Sequence, residues 1–133
     1  MERVYTGPRL DKLGVKPGMR VALVGLDDAR FEAELGERTG DVTHGEPGPD
    51  TDLVFMAADD AATLAILPAL RSRLRPNGAI WVVSHKGKAA TLRDIEVMAA
   101  GKASGLVDNK VVSFDDARTS IRLVIPVALR PKA

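Results

Sequence analysis

The stretch Lys16-Pro-Gly-Met-Arg-Val-Ala-Leu-Val-Gly25 decides the fold. Pro17 and Gly18 set a turn, and residues 21–24 form an apolar run that stops at Gly25. A run without a polar position can be buried on both faces, as the centre of a parallel sheet requires. Leu74-Arg-Pro-Asn-Gly-Ala-Ile-Trp-Val-Val-Ser84 repeats the pattern of a Pro/Gly turn before an apolar run. The two runs are therefore expected as neighbouring parallel strands entered from the same side.

Working outward, Tyr5-Thr-Gly-Pro8 opposes an early helix, and Leu10, Leu13 and Val15 offer apolar contacts for an arm or a single helical turn. After Gly25, Asp27 or Asp28 is an N-cap, Phe31 and Leu35 are an i,i+4 apolar pair, and Gly36 suits a C-cap, which together predict a short helix. Residues 41–44 predict a brief strand, residues 45–50 a loop, and residues 52–57 a buried strand. Asp59 or Asp60 then caps a helix to about Leu74, with Leu64, Leu67, Leu70 and Leu74 on one stripe and Pro68 marking a kink or a new turn. Thr91 caps a further helix carrying Leu92, Ile95 and Met98, which ends in the stretch 101–105. Residues 106–114 and 120–129 read as an antiparallel hairpin around the turn 115–119, with Pro126 confined to an edge or bulge. This order predicts one α/β domain spanning residues 1–133, a three-layer Rossmann-like sandwich whose mostly parallel sheet ends in a C-terminal antiparallel hairpin.

The 133 residues with 45% apolar content are enough to bury one core. The absence of cysteine excludes disulfides, thiolate nucleophiles and cysteine-ligated metals, and makes an intracellular compartment the default. His44 and His85 are too far apart for a metal-spacing pair, so no metal is expected. The first ten residues lack the apolar segment of a signal peptide, and no apolar stretch nears the roughly 18 residues of a membrane span. A cytoplasmic protein without a membrane partner is expected. Net charge is +1, yet residues 26–60 hold eleven acidic and two basic side chains. Such a block reads either as a solvated loop and helix face or as an interaction surface.

Leu13-Gly-Val-Lys-Pro-Gly-Met-Arg-Val-Ala-Leu-Val24 resembles the opening strand of class I S-adenosylmethionine-dependent methyltransferases, and the stretch 74–83 is similar to a later strand of that fold. The terminal hairpin matches its ending. Gly105-Leu-Val-Asp-Asn-Lys-Val111 with Ser120-Ile-Arg-Leu-Val124 resembles a bacterial domain-of-unknown-function family of small proteins with this fold in trimmed form. The resemblance implies a methyltransferase-like architecture. The enzymes of that class follow the first strand with a glycine-rich loop, whereas Val24-Gly-Leu-Asp-Asp28 has one glycine followed by bulk and charge. The segment before Asp52 is also short, and Asp41 precedes its strand and is a poor match for a ribose ligand.

Ligands of open α/β sheets bind beyond the carboxyl ends of the strands, which gathers Gly25, Asp59, Ser84, His85 and Lys86 as candidate ligand-binding residues. Asp27, Asp28, Asp59 and Asp60 also suit helix capping, where carboxylates complement the dipole and repel phosphate. His85 beside Lys86 and Lys88 suits proton transfer or an anion clamp, with Lys86 the preferred anion partner. Ser84 has no evident triad, and Trp81 reads as core. Arg71, Arg73, Arg75, Lys86, Lys88 and Arg93 form a basic set without interleaved aromatics, so nucleic acid ranks third among partners. The reading that follows is a small-molecule-binding or regulatory module without methyl transfer and without a bound cofactor, its ligand anionic or nucleoside-like, with homo-oligomer formation left open. The alternative is an enzyme that retains S-adenosylmethionine.

Overall fold

A computed structural model describes residues 9–130; the Tyr5–Pro8 stretch lies outside the described residues. The elements, in chain order, are α1 (Arg9–Lys12), β1 (Val21–Val24), α2 (Ala29–Arg38), β2 (Val42–His44), β3 (Thr51–Ala57), α3 (Leu67–Arg71), β4 (Leu74–His85), α4 (Asp94–Ala103), β5 (Val107–Ser113) and β6 (Arg118–Val124). Short 3₁₀ turns precede α3 at Ala62–Ile66, follow β4 at Gly87–Ala89 and follow β6 at Val127–Leu129.

The strands form one sheet in the order β2-β1-β3-β4-β6-β5, parallel from β2 to β4, with the β5–β6 hairpin antiparallel to β4 through β6. The α/β class, the mostly parallel sheet and the closing hairpin agree with the sequence. The two apolar runs that share a turn-to-strand pattern are parallel, but they are not neighbours: β3 lies between β1 and β4. Its run Leu53-Val-Phe-Met56 is buried throughout, as that place between two strands requires.

Alternation along these strands divides the core in two. Val21, Leu23, Leu53, Phe55, Trp81 and Val83 face one side, where they meet Leu10, Leu13, Phe31, Leu35 and Phe114. Ala22, Val54, Met56, Ile80 and Val82 face the other, under Leu64, Leu67, Leu70, Val97 and Leu123. Trp81 is 1% exposed, lies parallel to the Phe55 ring with centroids 6.5 Å apart, and donates its indole N–H to the Leu13 carbonyl at 3.1 Å. The N-terminal segment is thereby fastened to the middle of the sheet.

Several local expectations change. The helix expected over residues 59–74 is split into a 3₁₀ turn and the five-residue α3, because Pro68 can occupy only a first turn. Helix α2 runs past Gly36 to Arg38 and is capped at Thr39, whose N–H bonds the Leu35 carbonyl at 2.8 Å. Strand β4 begins at Leu74 and absorbs the expected turn, and Gly78 is obligatory there: a Cβ would stand 2.8 Å from the Asp52 carbonyl oxygen. Helix α4 begins after Arg93 rather than Thr91. It buries Val97 and Gly101, leaving Ile95 65% exposed, because Gly101 lets the helix approach Leu123, whose Cδ2 would lie 3.0 Å from a Cβ. Strand β6 stops at Val124, so Pro126 falls in the following turn.

Removal of the indole leaves a cavity between the sheet and the N-terminal segment, so Trp81→Ala is expected to lower the unfolding free energy by about 3–5 kcal/mol in chemical denaturation. A loss within ~0.5 kcal/mol, typical of surface positions, would contradict the buried role.

Candidate functional site

The order of the sheet turns at β1, which has β2 on one side and β3 on the other. In open α/β sheets ligands lie in the crevice outside such a point, at the carboxyl ends of the strands. Because β6 starts and β5 ends at the same rim, the hairpin contributes residues to it: Arg118 stands opposite His85, and Ser113 opposite Thr119.

Gly25 ends β1 with φ +66°, a conformation that favours glycine. A Cβ placed there would have one heavy atom within reach, the Ala57 carbonyl oxygen at 4.0 Å, so the backbone stands clear at the mouth of the β1/β3 crevice. Leu26, which reads as bulk in the sequence, is turned into the core at 5% exposure. Asp28 is committed as the N-cap of α2, accepting the Phe31 N–H at 2.9 Å. Of the three residues after Gly25, Asp27 alone is exposed.

Across the crevice, Asp59 follows β3 and His85 ends β4. The Asp59 carboxylate accepts the His85 backbone N–H at 2.9 Å and lies 3.0 Å from its Nδ1 through either oxygen. The Thr91 hydroxyl donates to the Asp59 carbonyl at 2.5 Å and ties the 86–93 loop to the end of β3. Burial pushes the Asp59 carboxyl up, but the backbone and imidazole hydrogen bonds from His85 outweigh it and hold it below the usual carboxylate range. With Nδ1 donating to this carboxylate, Nε2 is the ring's acceptor, and among the described residues it has no protein partner. An imidazole held this way can take a proton on Nε2 while the carboxylate stabilises the resulting charge.

Lys86 bonds the Ala117 carbonyl through its N–H at 3.0 Å and the Ser113 hydroxyl through Nζ at 2.8 Å. Ser84 is 3% exposed. Of the five residues gathered from the sequence, Asp59 and His85 are in contact, Lys86 adjoins them, Gly25 sits at the end of β1 and Ser84 is withdrawn into the sheet. A groove of about 450 Å³ runs outward from His85 past Lys86, Gly87, Arg93 and Thr119.

Sequence reasoning missed Arg118. Its guanidinium pairs with Asp28, meets Asp115 at 2.6 and 3.0 Å, and lies over the Phe114 ring at 4.9 Å. Arg9 lies over the same ring at 4.6 Å and pairs with Glu34. Ninety positions separate Asp28 from Arg118, so only the i,i+3 spacing of Asp115 and Arg118 was visible locally. Burial pushes Asp28 and Asp115 up and Arg118 down, but their mutual pairing, with backbone N–H donors to the carboxylates, reverses each shift: the carboxyls are held low and the guanidinium high. Of the basic set, Arg71 is spent on the Gly105 carbonyl and Arg75 on Asp52 and the Asp50 carbonyl.

Among the described residues no group of three or more His, Asp or Glu is placed to hold a metal, and no helix is long and apolar enough to cross a membrane.

No protein-family model matches the chain, and no curated protein matches its sequence. Solved structures are similar in fold. An S-adenosylmethionine-dependent methyltransferase from Aquifex aeolicus superposes with a TM-score of 0.68 at 18% identity, over 87% of this chain and 87% of that one. A TehB-like S-adenosylmethionine-dependent methyltransferase from Corynebacterium glutamicum gives 0.61 at 11% identity, over 88% and 85%. The precorrin-6y C5,15-methyltransferase from Geobacter metallireducens gives 0.60 at 15% identity, over 86% and 83%. The architecture is therefore methyltransferase-like.

Asp28 is held low by the Phe31 N–H and by Arg118, and Asp115 by Arg118 and the Ala117 N–H, so they add stability above their unfolded pKa of about 4, and that contribution is lost as pH falls through their lower folded values. Arg118→Ala is expected to cost about 1–3 kcal/mol at neutral pH and to flatten the acid limb of the stability curve. An acid limb as steep as that of the parent protein would show that the two carboxylates do not depend on Arg118.

Proposed function

We propose that this chain binds S-adenosylmethionine or a close nucleoside relative in the β1/β3 crevice and acts as a small methyltransferase-like enzyme. The observation that carries the reading is the clear backbone at Gly25, with φ +66° and nothing nearer a Cβ than the Ala57 oxygen at 4.0 Å. The sequence gives one glycine followed by Leu26 and Asp28, a pattern that favours a module without methyl transfer. Because Leu26 is buried and Asp28 caps α2, the bulk that argues against close approach is directed elsewhere. The residues present thus fit a nucleoside lying against the Gly25 backbone, with Asp27 and Asp59 as the carboxylates at the mouth.

Such a cofactor supplies an electrophilic methyl group on a sulfonium. The chain supplies the crevice, and the Asp59–His85 pair supplies a proton acceptor at the same rim. The methyltransferase-like fold supports this reading over a purely structural one. A second reading, a nucleoside-binding module that performs no methyl transfer, draws on the exposed carboxylate of Asp27 two residues after Gly25.

Calorimetry with S-adenosylmethionine and S-adenosylhomocysteine is expected to show saturable binding, and Gly25→Val is expected to abolish it. Circular dichroism must accompany the variant, since a β-branched residue at positive φ costs on the order of 1–3 kcal/mol of stability. No heat from either nucleoside with the folded parent protein would overturn the proposal. Binding without methyl transfer to any acceptor would favour the module.

A further inference from the structure

We propose that the groove outside the Asp59–His85 pair is the acceptor subsite, and that it takes a small molecule bearing a carboxylate or phosphate. Lys86 and Arg93 hold the acid group, and a hydroxyl of the same molecule faces His85 Nε2. This deepens the methyl-transfer reading and rests on it for the fate of that hydroxyl; capture of the anion does not depend on it.

The groove's volume of about 450 Å³ is that of a small-molecule site. Its lining brings Lys86, Arg93 and His85 against a single carboxylate, Asp94, which sits in the first turn of α4 where it complements the helix dipole. The two cations keep unused donors. Lys86 gives one N–H to Ser113, leaving two of its three. The Arg93 side chain is 78% exposed and approaches Glu96 no nearer than 3.7 Å. The loop that carries them is fixed before any ligand arrives. Its start is held by the Lys86 N–H on the Ala117 carbonyl at 3.0 Å, its 3₁₀ turn by the Ala90 N–H on Gly87 at 3.1 Å, and its end by the Thr91 hydroxyl on Asp59 at 2.5 Å. A pre-ordered loop avoids the entropy cost of closing around a ligand.

The rim's other groove, lined by Arg9, Asp28, Glu34 and Asp115, is differently built. Its Arg9 is paired with Glu34 and its Asp28 and Asp115 with Arg118, and with Arg30 and Asp116 its lining sets four carboxylates against two guanidiniums. The side of this rim whose lining holds more cations than carboxylates is the Lys86–Arg93 side, beside the proton acceptor.

With an acceptor hydroxyl in place, its proton passes to His85 Nε2 as the oxygen forms a bond to the methyl carbon. A sulfonium donor held in the β1/β3 crevice would supply that methyl group and leave as a neutral thioether, the carbon–sulfur electron pair going to sulfur. The imidazolium then releases its proton to solvent.

The test is an amide NMR titration of the full chain with benzoate and with inorganic phosphate, in the absence of any nucleoside, with benzamide as the neutral counterpart. Benzoate and phosphate are expected to shift the amides of Lys86, Gly87 and Arg93 saturably, benzamide is not, and added salt weakens the effect. Lys86→Ala and Arg93→Ala are each expected to weaken benzoate about fivefold, the size of one exposed charge pair, while the thermal midpoint stays unchanged. Equal shifts from benzamide, shifts centred on Arg9 and Arg30, or no saturable shift would each overturn the subsite. Nucleoside calorimetry is read separately, so loss of the methyl-donor reading leaves a positive anion titration standing, and the reverse.

Discussion

Burial of both faces of the central strands is the constraint on which the rest of the molecule depends. Val21–Leu23, Leu53–Met56 and Ala79–Val83 carry no polar side chain, and each is covered above and below by apolar residues. Such a sheet leaves no room for chemistry along its length, so polar groups that act on a ligand must stand where the strands end. The parallel arrangement puts the ends of β1, β3 and β4 on one side, and the antiparallel hairpin returns Ser113 and Arg118 to that side. The candidate site is therefore a consequence of topology before it is a consequence of any one residue.

Aromatic groups link this core to its rim. Trp81 stacks with Phe55, Phe55 meets Phe31 edge-on at 5.0 Å, and Phe31 meets Phe114 at 4.8 Å, so the four rings form a continuous row from the middle of β4 to the end of β5. At its outer end the row carries the guanidiniums of Arg9 and Arg118. Packing rather than charge positions these cations: a ring face holds the guanidinium, and the carboxylates of Glu34, Asp28 and Asp115 complete it. The N-terminal segment, α2 and the hairpin turn are tied together through this one ring system.

What was legible in the sequence follows the same division. Doubly buried strands announce themselves as apolar runs, and Gly25 could be placed at a strand end because a strand must stop and a glycine can turn. The meeting of Asp59 with His85 was accessible through the rule that strand ends converge. The order of β1, β3 and β4 was not, since two runs with the same local pattern carry no information about what lies between them. Nor was the inward turn of Leu26: an apolar residue after a glycine reads as an obstacle unless the positive φ that reverses its direction is known. Arg118 escaped because its partner Asp28 is local only in space. The stretch beginning at Gly101 reads as the end of a helix, and the helix does end within it at Ala103, but the close approach of Gly101 to Leu123 has no local signal.

The distribution of charge along the chain finds its explanation in the fold. The acidic stretch 26–60 reads as a solvated face or a partner surface, yet five of its eleven carboxylates are met by basic side chains from the stretches on either side: Asp28 by Arg118, Glu34 by Arg9, Asp41 by Arg20, Asp52 by Arg75 and Asp59 by the His85 imidazole. Glu32 meets His44 within the stretch itself. Most of these pairs are partly exposed and individually contribute little to stability. Their effect is on the residual field. With Asp28 and Asp59 paired at the β1 and β3 ends, Lys86 on the 86–93 loop bonds only a neutral hydroxyl through its Nζ and keeps its charge for a ligand. A chain of nearly neutral net charge thus presents a locally cationic lip next to a proton-accepting imidazole, an arrangement that neither the composition nor the sequence order of its charges specifies.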